Sequence, residues 1–177
     1  MTEPLTMEFE VHARDSIRPT AEFQAIENVA KRLLAGLRSK AARRGLERAN
    51  RPGVHSREAQ SVVADEAEPL GFRSEKKGLF AEYETSALRP DMYLAVGSTG
   101  IILEVERGKT LKNNMDLLDF WKCHICERAH YLFLFVPQVV QRSNETERPF
   151  QAVVKRLGTF FVPGNDTNVR AVFIFGY

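Results

Sequence analysis

The stretch at residues 89–109 reads RPDMYLAVGSTGIILEVERGK and predicts the centre of the fold. Two apolar arms, MYLAV and IILEV, flank the loop GSTG at 97–100, a composition typical of a hairpin turn. If the turn is symmetric, Met92 pairs with Val105, and alternate side chains of the two arms form one wholly apolar face. The sequence therefore predicts an antiparallel β-hairpin that covers a hydrophobic core.

Three carboxylates lie on the opposite face of this hairpin, at its open end. In the symmetric register Asp91 is directly opposite Glu106 and one diagonal step from Glu104. Opposed side chains are about 5 Å apart at Cβ and diagonal ones about 7 to 8 Å, so all three acids could reach one ion. Opposed like charges destabilise a sheet unless a cation lies between them. We expect Mg²⁺, or Mn²⁺, to be held by these carboxylates; the alternative is a solvated acidic face.

The spacing of these acids resembles a known metal-site motif. Pro90-Asp91, followed after twelve residues by Glu104-Val105-Glu106, is similar to the motif of the PD-(D/E)xK nuclease superfamily. That superfamily has a Pro-Asp on one strand and an acid-x-Lys on the next. Here Glu106 takes the lysine position, a variation similar to the Glu-x-Glu of some Type II restriction enzymes. The resemblance implies a restriction endonuclease-like α/β fold with a mixed sheet, and a metal-dependent DNA endonuclease.

The rest of the chain supplies helices and strands in the order that such a core requires. Periodicity predicts a helix from Ser56 to about Pro69, a strand within 72–85, the hairpin, a helix from Met115 to about Ala129, a buried strand YLFLFV, a helix at 150–161 and a last strand VRAVFIF. From Ser56 onward the order is αβββαβαβ, so residues 56–177 are predicted to form the nuclease-like core. The second helix carries an apolar stripe of Leu117, Leu118, Trp121 and Ile125, which we expect to be the side that faces the protein interior.

Residues 1–55 are predicted to be an N-terminal extension packed on that core. A short strand at 7–11 and one long helix from Thr20 to Gly45 are expected there. From Lys31 to Arg57 the chain has nine Lys or Arg residues and only Glu47 to oppose them. This basic run is either a solvated surface or a surface that contacts phosphates. The second interpretation assigns nucleic-acid binding to Arg38, Lys40, Arg43, Arg44 and Arg48.

Bulk properties restrict the class of protein. With 177 residues the chain can form one sizeable core, and a net charge of +2 shows that the positive charge is local. No stretch has transmembrane length and the acidic N-terminus does not resemble a signal peptide, so we expect a cytoplasmic protein without a membrane partner. Cys123 and Cys126 share a helical segment with two histidines, which is poor geometry for zinc, and reduced thiols are expected.

The resemblance implies metal-assisted phosphodiester hydrolysis. Asp91 and Glu104 would hold the cation, and Glu106 would act as a further ligand or as the base that orients a water. Lys109 is the candidate that replaces the family lysine, with a second metal ion as the alternative. Lys112 and Lys122 are candidates for contacts with a nucleic-acid backbone. Lys122 is equally well explained as a lysine whose stem lies beside a tryptophan.

DNA is the expected partner, and RNA stays open as an alternative. A homodimer is the simplest arrangement for cutting both strands of a duplex, whereas a single chain could nick one strand. Two other functions also stay open: a catalytically inactive nuclease fold that binds nucleic acid or acts as a scaffold, and a Mg²⁺-dependent enzyme with a different substrate.

Overall fold

A six-stranded mixed sheet forms the centre of the molecule. The computed structural model describes residues 6–74, 78–83, 88–108, 110–141 and 145–177. The strands are β1 (Glu8–Ala13), β2 (Arg73–Ser74), β3 (Met92–Val96), β4 (Thr99–Val105), β5 (Tyr131–Val136) and β8 (Ala171–Gly176), and their order across the sheet is β1-β8-β5-β4-β3-β2. The pairs β4–β5 and β5–β8 are parallel and the other pairs are antiparallel. A separate two-stranded ribbon is formed by β6 (Val140–Gln141) and β7 (Thr146–Glu147).

Helices cover both faces of the sheet. Those between β1 and β2 are α1 (Ala21–Leu37), α2 (Lys40–Ala49) and α3 (Ser56–Ala67), while α4 (Met115–Ile125) precedes β5 and α5 (Pro149–Gly158) precedes β8. Short 3₁₀ turns follow α3 at Glu68–Leu70 and α5 at Thr159–Phe161. The α/β class is confirmed, and the predicted core elements from Ser56 onward occur in the predicted order, with the β6–β7 ribbon added between β5 and α5. No helix among the described residues is both long and apolar enough to cross a membrane.

Alternating side chains of the central strands divide the core into two layers. Ile101 and Phe133 pack in one layer with α1, α2 and α3, whereas Ile102 and Leu132 pack in the other with α4 and α5. All residues of β5 are buried, as expected of a strand with helices on both faces. Side chains at alternate positions of β4 therefore point towards different helices.

The β3–β4 hairpin forms with a tighter register than predicted. Met92 pairs with Leu103 and Val96 with Thr99, so the turn is Gly97-Ser98 rather than four residues. Gly97 has φ 58°, which a two-residue hairpin turn favours. A shift of two residues leaves every side chain on its predicted face. It does change the partner of Asp91, because the continued register places Glu104, and not Glu106, opposite it.

The predicted long helix from Thr20 to Gly45 is wrong in its extent. Thr20 caps α1 as expected, because its hydroxyl accepts a hydrogen bond from the N–H of Phe23 at 3.1 Å. The helix stops at Leu37, and Ser39 starts α2 by accepting a hydrogen bond from the N–H of Ala42. A serine N-cap explains the break, since its side chain satisfies a backbone donor that a new helix leaves unpaired.

Candidate active site at the open end of the hairpin

One hydrogen bond joins Asp91 to Glu104, and a second joins Asp91 to the adjacent Val105. The backbone N–H of Asp91 donates to Glu104 Oε2 at 3.2 Å, and the N–H of Val105 donates to Asp91 Oδ2 at 2.9 Å. The other oxygen of Asp91 accepts a hydrogen bond from Gln60 Nε2 of α3 at 3.0 Å. The structure thus brings together two of the three predicted acids. No pattern in the sequence indicated Gln60, because it becomes a neighbour of Asp91 only when α3 packs beside β3.

Helix α4 adds two charged residues to this group: Asp119, which the sequence did not indicate, and Lys122, which was predicted to contact a nucleic-acid backbone or to lie with its stem beside a tryptophan. Lys122 Nζ donates to Glu104 Oε1 at 2.8 Å and to Asp119 Oδ1 at 2.9 Å. Asp119 and Lys122 lie three residues apart, so they share one face of the helix. Lys122 is 5% exposed, whereas Trp121 is 53% exposed. The alternative of a lysine stem extending to the surface beside Trp121 is therefore wrong, and the ammonium is not displayed at the surface for a phosphate.

The buried side of α4 differs from the apolar stripe that the sequence predicted. Asp116, Asp119, Phe120, Lys122 and Cys123 are the buried residues of this helix. Leu117 and Leu118 are only half-buried. The helix also ends at Ile125, four residues earlier than predicted, because Cys126 has an extended backbone. Asp119 and Lys122 were detectable as charges within an apolar segment, but hydrophobic periodicity assigned them to solvent.

Glu106 is the third predicted acid and is paired with another carboxyl group. Its side chain lies within hydrogen-bonding distance of that of Asp119, which requires that one of the two carboxyl groups carries a proton. Burial, and then the neighbouring charge of Asp119, raises the pKa of Glu106 to about 8. The backbone of Glu106 is fixed by hydrogen bonds, since its N–H donates to Phe135 O at 2.9 Å and its carbonyl accepts from Tyr177 Oη at 2.6 Å.

The electrostatics of the group reflect an excess of negative charge. Burial raises the pKa of Asp91, Glu104 and Asp119 above the usual values, and the Asp119 carboxylate raises that of Glu104 further. Burial by itself would lower the pKa of Lys122, but the charges of Glu104 and Asp119 outweigh it and hold this pKa above its usual value. We call Asp91, Glu104, Glu106, Asp119 and Lys122 the acidic cluster: four carboxyl groups and one ammonium.

The cluster meets a cleft on the side of Asp91. Asp91 and Glu106 are half-buried, whereas Glu104 and Asp119 are 4% and 0% exposed. The cleft has a volume of about 330 Å³, and Arg57 and Gln60 of α3 line it together with Asp91. Within the described parts of the chain, no three His, Cys, Asp or Glu side chains converge closely enough to enclose a metal ion. The predicted set of Asp91, Glu104 and Glu106 thus shares one cluster without forming a closed three-ligand site.

The predicted basic residues lie on or next to α2. Arg38, Lys40, Arg44 and Arg48 are exposed and Arg43 is half-buried. Helix α2 packs on α3 where Gly45 meets Val62, and the loop after α2 is bound to Arg107, which donates to the carbonyls of Arg51 and Val54. The basic helix is therefore attached both to the helix that holds Asp91 and to the strand end that carries Glu106.

The remaining predicted residues do not join the acidic cluster. Lys112 is exposed and forms ion pairs of 3.3 Å with Glu145 and Glu147. Lys109, the predicted replacement for the family lysine, lies outside the described residues. Cys123 and Cys126 are buried free thiols.

Comparisons with known proteins place the fold but not a family. No protein-family model matches the chain, and no curated protein matches its sequence. Among solved structures, the chain is similar to restriction endonuclease BglII complexed with a DNA 16-mer, with a TM-score of 0.53 and 13% identity over 97% of this chain and 78% of that one. The similarity to this structure, together with the mixed six-stranded sheet, shows a restriction endonuclease-like α+β fold.

Proposed function

We propose that this protein is a metal-dependent endonuclease that hydrolyses phosphodiester bonds in DNA, with Mg²⁺ or Mn²⁺ as its cofactor. The observation that carries the proposal is the contact between Asp91 and Glu104 at the open end of the β3–β4 hairpin. Their carboxylates belong to the acidic cluster, which has four carboxyl groups and only one ammonium. The fold that carries this cluster is similar to that of a restriction endonuclease. Such a cluster destabilises a fold unless it has a cationic ligand to bind.

The donor atoms of the cluster suit a hard divalent cation. All of its candidate ligands are carboxylate oxygens, which Mg²⁺ and Mn²⁺ prefer, and the cluster contains no thiol or imidazole. Asp119 Oδ2 is buried and accepts no hydrogen bond from an N–H or hydroxyl group of the described residues, and the neighbouring Glu106 carboxyl could donate to Asp119 only while it carries a proton. A buried carboxylate oxygen without a donor is costly, and a cation is one partner that would satisfy it. Asp91 and Glu104 would be the ligands, with waters and a substrate phosphate supplying the further oxygens, since no three acidic side chains of the described residues converge on one point.

The residues of the cluster would divide the work of hydrolysis. A bound divalent cation polarises a phosphate and lowers the pKa of a coordinated water. Asp91 is kept in place by Gln60 and by the backbone of Val105, so its orientation does not depend on the substrate. Glu106 has a pKa of about 8, within the range in which a carboxyl group can exchange a proton with water near neutral pH. It is the group that we assign to orient the attacking water.

Exposed basic side chains support DNA as the substrate. The arginines and lysine of α2 place exposed positive charge on one short helix, which favours contacts with phosphates. The solved structure with the same fold contains a DNA 16-mer. Arg57 at the cleft beside Asp91 is placed to meet a phosphate near the acids. The cleavage experiment described next also tests whether RNA is a substrate and whether the active form is a homodimer.

The proposal is tested with supercoiled plasmid, single-stranded DNA and RNA, each incubated with Mg²⁺, with Mn²⁺ or with EDTA. The wild type is expected to cut DNA only with metal, and Asp91→Asn to lose at least about 100-fold of the rate. The matched control is Asp65→Asn, which removes an exposed carboxylate of α3 and should cut like the wild type. Linear product without nicked plasmid would indicate a dimer that cuts both strands.

One other function is favoured by a specific observation. Lys122 already neutralises part of the cluster, which is what a catalytically inactive nuclease fold would need to stay stable without metal. Calorimetric titration with Mg²⁺ distinguishes the two functions. Heat of binding in the wild type that Asp91→Asn abolishes supports the endonuclease; intact nucleic acid and no carboxylate-dependent heat would support the inactive fold.

A further inference from the structure

A pocket on the outer side of α4 has no role in the proposed hydrolysis. It lies between α4, the 3₁₀ turn after α5 and the segment before β8, and its volume is about 320 Å³. Its α4 residues Leu117, Trp121 and His124 share one side of the helix, because they are four and three residues apart. Asp119 and Lys122 lie on the opposite side of α4, towards the acidic cluster. The pocket is therefore separate from the candidate active site.

Aromatic rings form the walls of this pocket. Phe120 is 5% exposed and stacks on Phe160 with their ring centroids 4.4 Å apart. Trp121 is 53% exposed, and its ring centroid is 5.3 Å from that of His124. A half-exposed indole presents apolar surface on which a flat ring can stack, and it loses little freedom in doing so because it has only two rotatable bonds. The walls are suited to a planar aromatic ligand.

Two polar groups of the pocket have no partner among the described residues. His124 Nδ1 accepts a hydrogen bond from the backbone N–H of Asn168 at 3.2 Å, so the proton of the neutral ring is on Nε2. This Nε2–H donates to no residue in the described parts of the chain. Asp166 is exposed, and its carboxylate accepts no hydrogen bond and forms no ion pair there either. The pocket therefore offers one donor and the two acceptor oxygens of a carboxylate.

We infer that this pocket binds a single guanine base, which stacks on Trp121, accepts from His124 and donates to Asp166. The edge of guanine has the O6 acceptor beside two donors, N1–H and the exocyclic amine, and a carboxylate accepts from both donors at once. The described residues that line the pocket include no lysine or arginine, so the pocket recognises the base and leaves any phosphate outside. Its volume is at the small end for ligand pockets, which suits one base. This inference goes beyond the proposed function and does not depend on it.

The test uses tryptophan fluorescence, because Trp121 is the only tryptophan of the chain and reports on this pocket alone. The wild type is titrated in EDTA with guanosine, inosine and adenosine. Guanosine is expected to quench with a dissociation constant at least about tenfold lower than that of inosine, which lacks the amine, or of adenosine, which lacks O6. Asp166→Asn should weaken guanosine binding by about tenfold or more, because an acceptor is replaced by a donor. The matched control Asp65→Asn removes an exposed carboxylate of α3 and should bind guanosine like the wild type.

Oligonucleotides identify where the base comes from. Tighter binding of oligo-dT that contains one dG than of guanosine assigns the pocket to an unpaired base of single-stranded DNA, and binding no tighter assigns it to the free nucleoside; both results support the inference. It is overturned if neither ligand quenches Trp121, if adenosine or plain oligo-dT binds equally well, or if Asp166→Asn binds like the wild type. A fluorescence that shifts with protein concentration would also overturn it, because a second copy of the chain would then cover Trp121. A wild type that binds guanosine but cuts no nucleic acid refutes the proposed function and leaves this inference standing.

Discussion

Replacing Glu106 by glutamine should stabilise the metal-free protein, and the gain should depend on pH. The ordinary pKa of this carboxyl is 4.5, and burial beside Asp119 raises it to about 8 in the folded protein. Between these two values the unfolded chain has lost the proton and the folded protein keeps it. The free energy of unfolding therefore falls as pH rises from about 4.5 to about 8, by at most about 1.4 kcal/mol per pH unit, and this loss is absent below pH 4.5. Glutamine has no proton to lose, so it removes the dependence.

At pH 7 the accumulated cost of Glu106 is about 3 kcal/mol, so Glu106→Gln should be more stable than the wild type by up to that amount. Urea unfolding in EDTA, at intervals from pH 4.5 to pH 8, measures the difference. The control is Glu127→Gln, which removes an exposed acid and should give a difference that does not vary with pH. Adding Mg²⁺ should reduce the advantage of the variant, because a cation bound by the cluster favours the ionised carboxylate and stabilises the wild type.

Two results would refute this reasoning. A stability difference that stays constant across the pH range would mean that Glu106 ionises as it does in the unfolded chain. A variant less stable than the wild type at pH 8 would mean that the carboxylate stabilises the fold, and that the pair with Asp119 is not a source of strain. Either result would also remove Glu106 from the role of a group that exchanges protons near neutral pH.

Three further predictions follow from other contacts. Arg43→Ala with Arg44→Ala should weaken DNA binding and reduce the slope of log K against log salt by about 2, as measured by fluorescence anisotropy; an unchanged slope would remove α2 from the interface. Gln60→Leu should slow cleavage about 10- to 100-fold with the fold intact, because Asp91 loses the donor that orients it; a rate equal to that of the wild type would contradict this. Tyr177→Phe should lower the free energy of unfolding by about 1 kcal/mol through loss of its 2.6 Å hydrogen bond, and a change within error in urea titrations would count against it.

Most of the fold was predictable because it depends on local patterns. The run at Tyr131–Val136 is apolar at every position, which indicates a strand with helices on both faces. The alternation in the β3–β4 hairpin identified the face that carries the acids, and an error of two residues in register left that face unchanged. The boundary between α1 and α2 was missed, because apolar residues continue at helical spacing past Ser39 and conceal the N-cap.

Less of the candidate site could be predicted, since its contacts join residues far apart in the chain. Asp91 and Glu104 were brought together by one hairpin, and the sequence identified both. Asp119 and Lys122 depend on how α4 is rotated against β4. Hydrophobic periodicity favoured a different buried face of that helix, because it assigns charged residues to solvent. It cannot recognise a lysine and an aspartate whose charges are compensated by partners on a strand.

The sequence by itself determined the α/β class, the order of the core elements from Ser56 onward and the two strands that carry acids, because side-chain alternation and hydrophobic periodicity are properties of neighbouring residues. Only the tertiary structure decided which groups surround those acids. Gln60 reaches Asp91 from α3, and Lys122 reaches Glu104 from α4, because helices packed on opposite faces of the sheet both extend to the end of the same hairpin. Burial at that position makes each charge depend on its partners, and partners supplied by separate elements become neighbours only when the chain is folded.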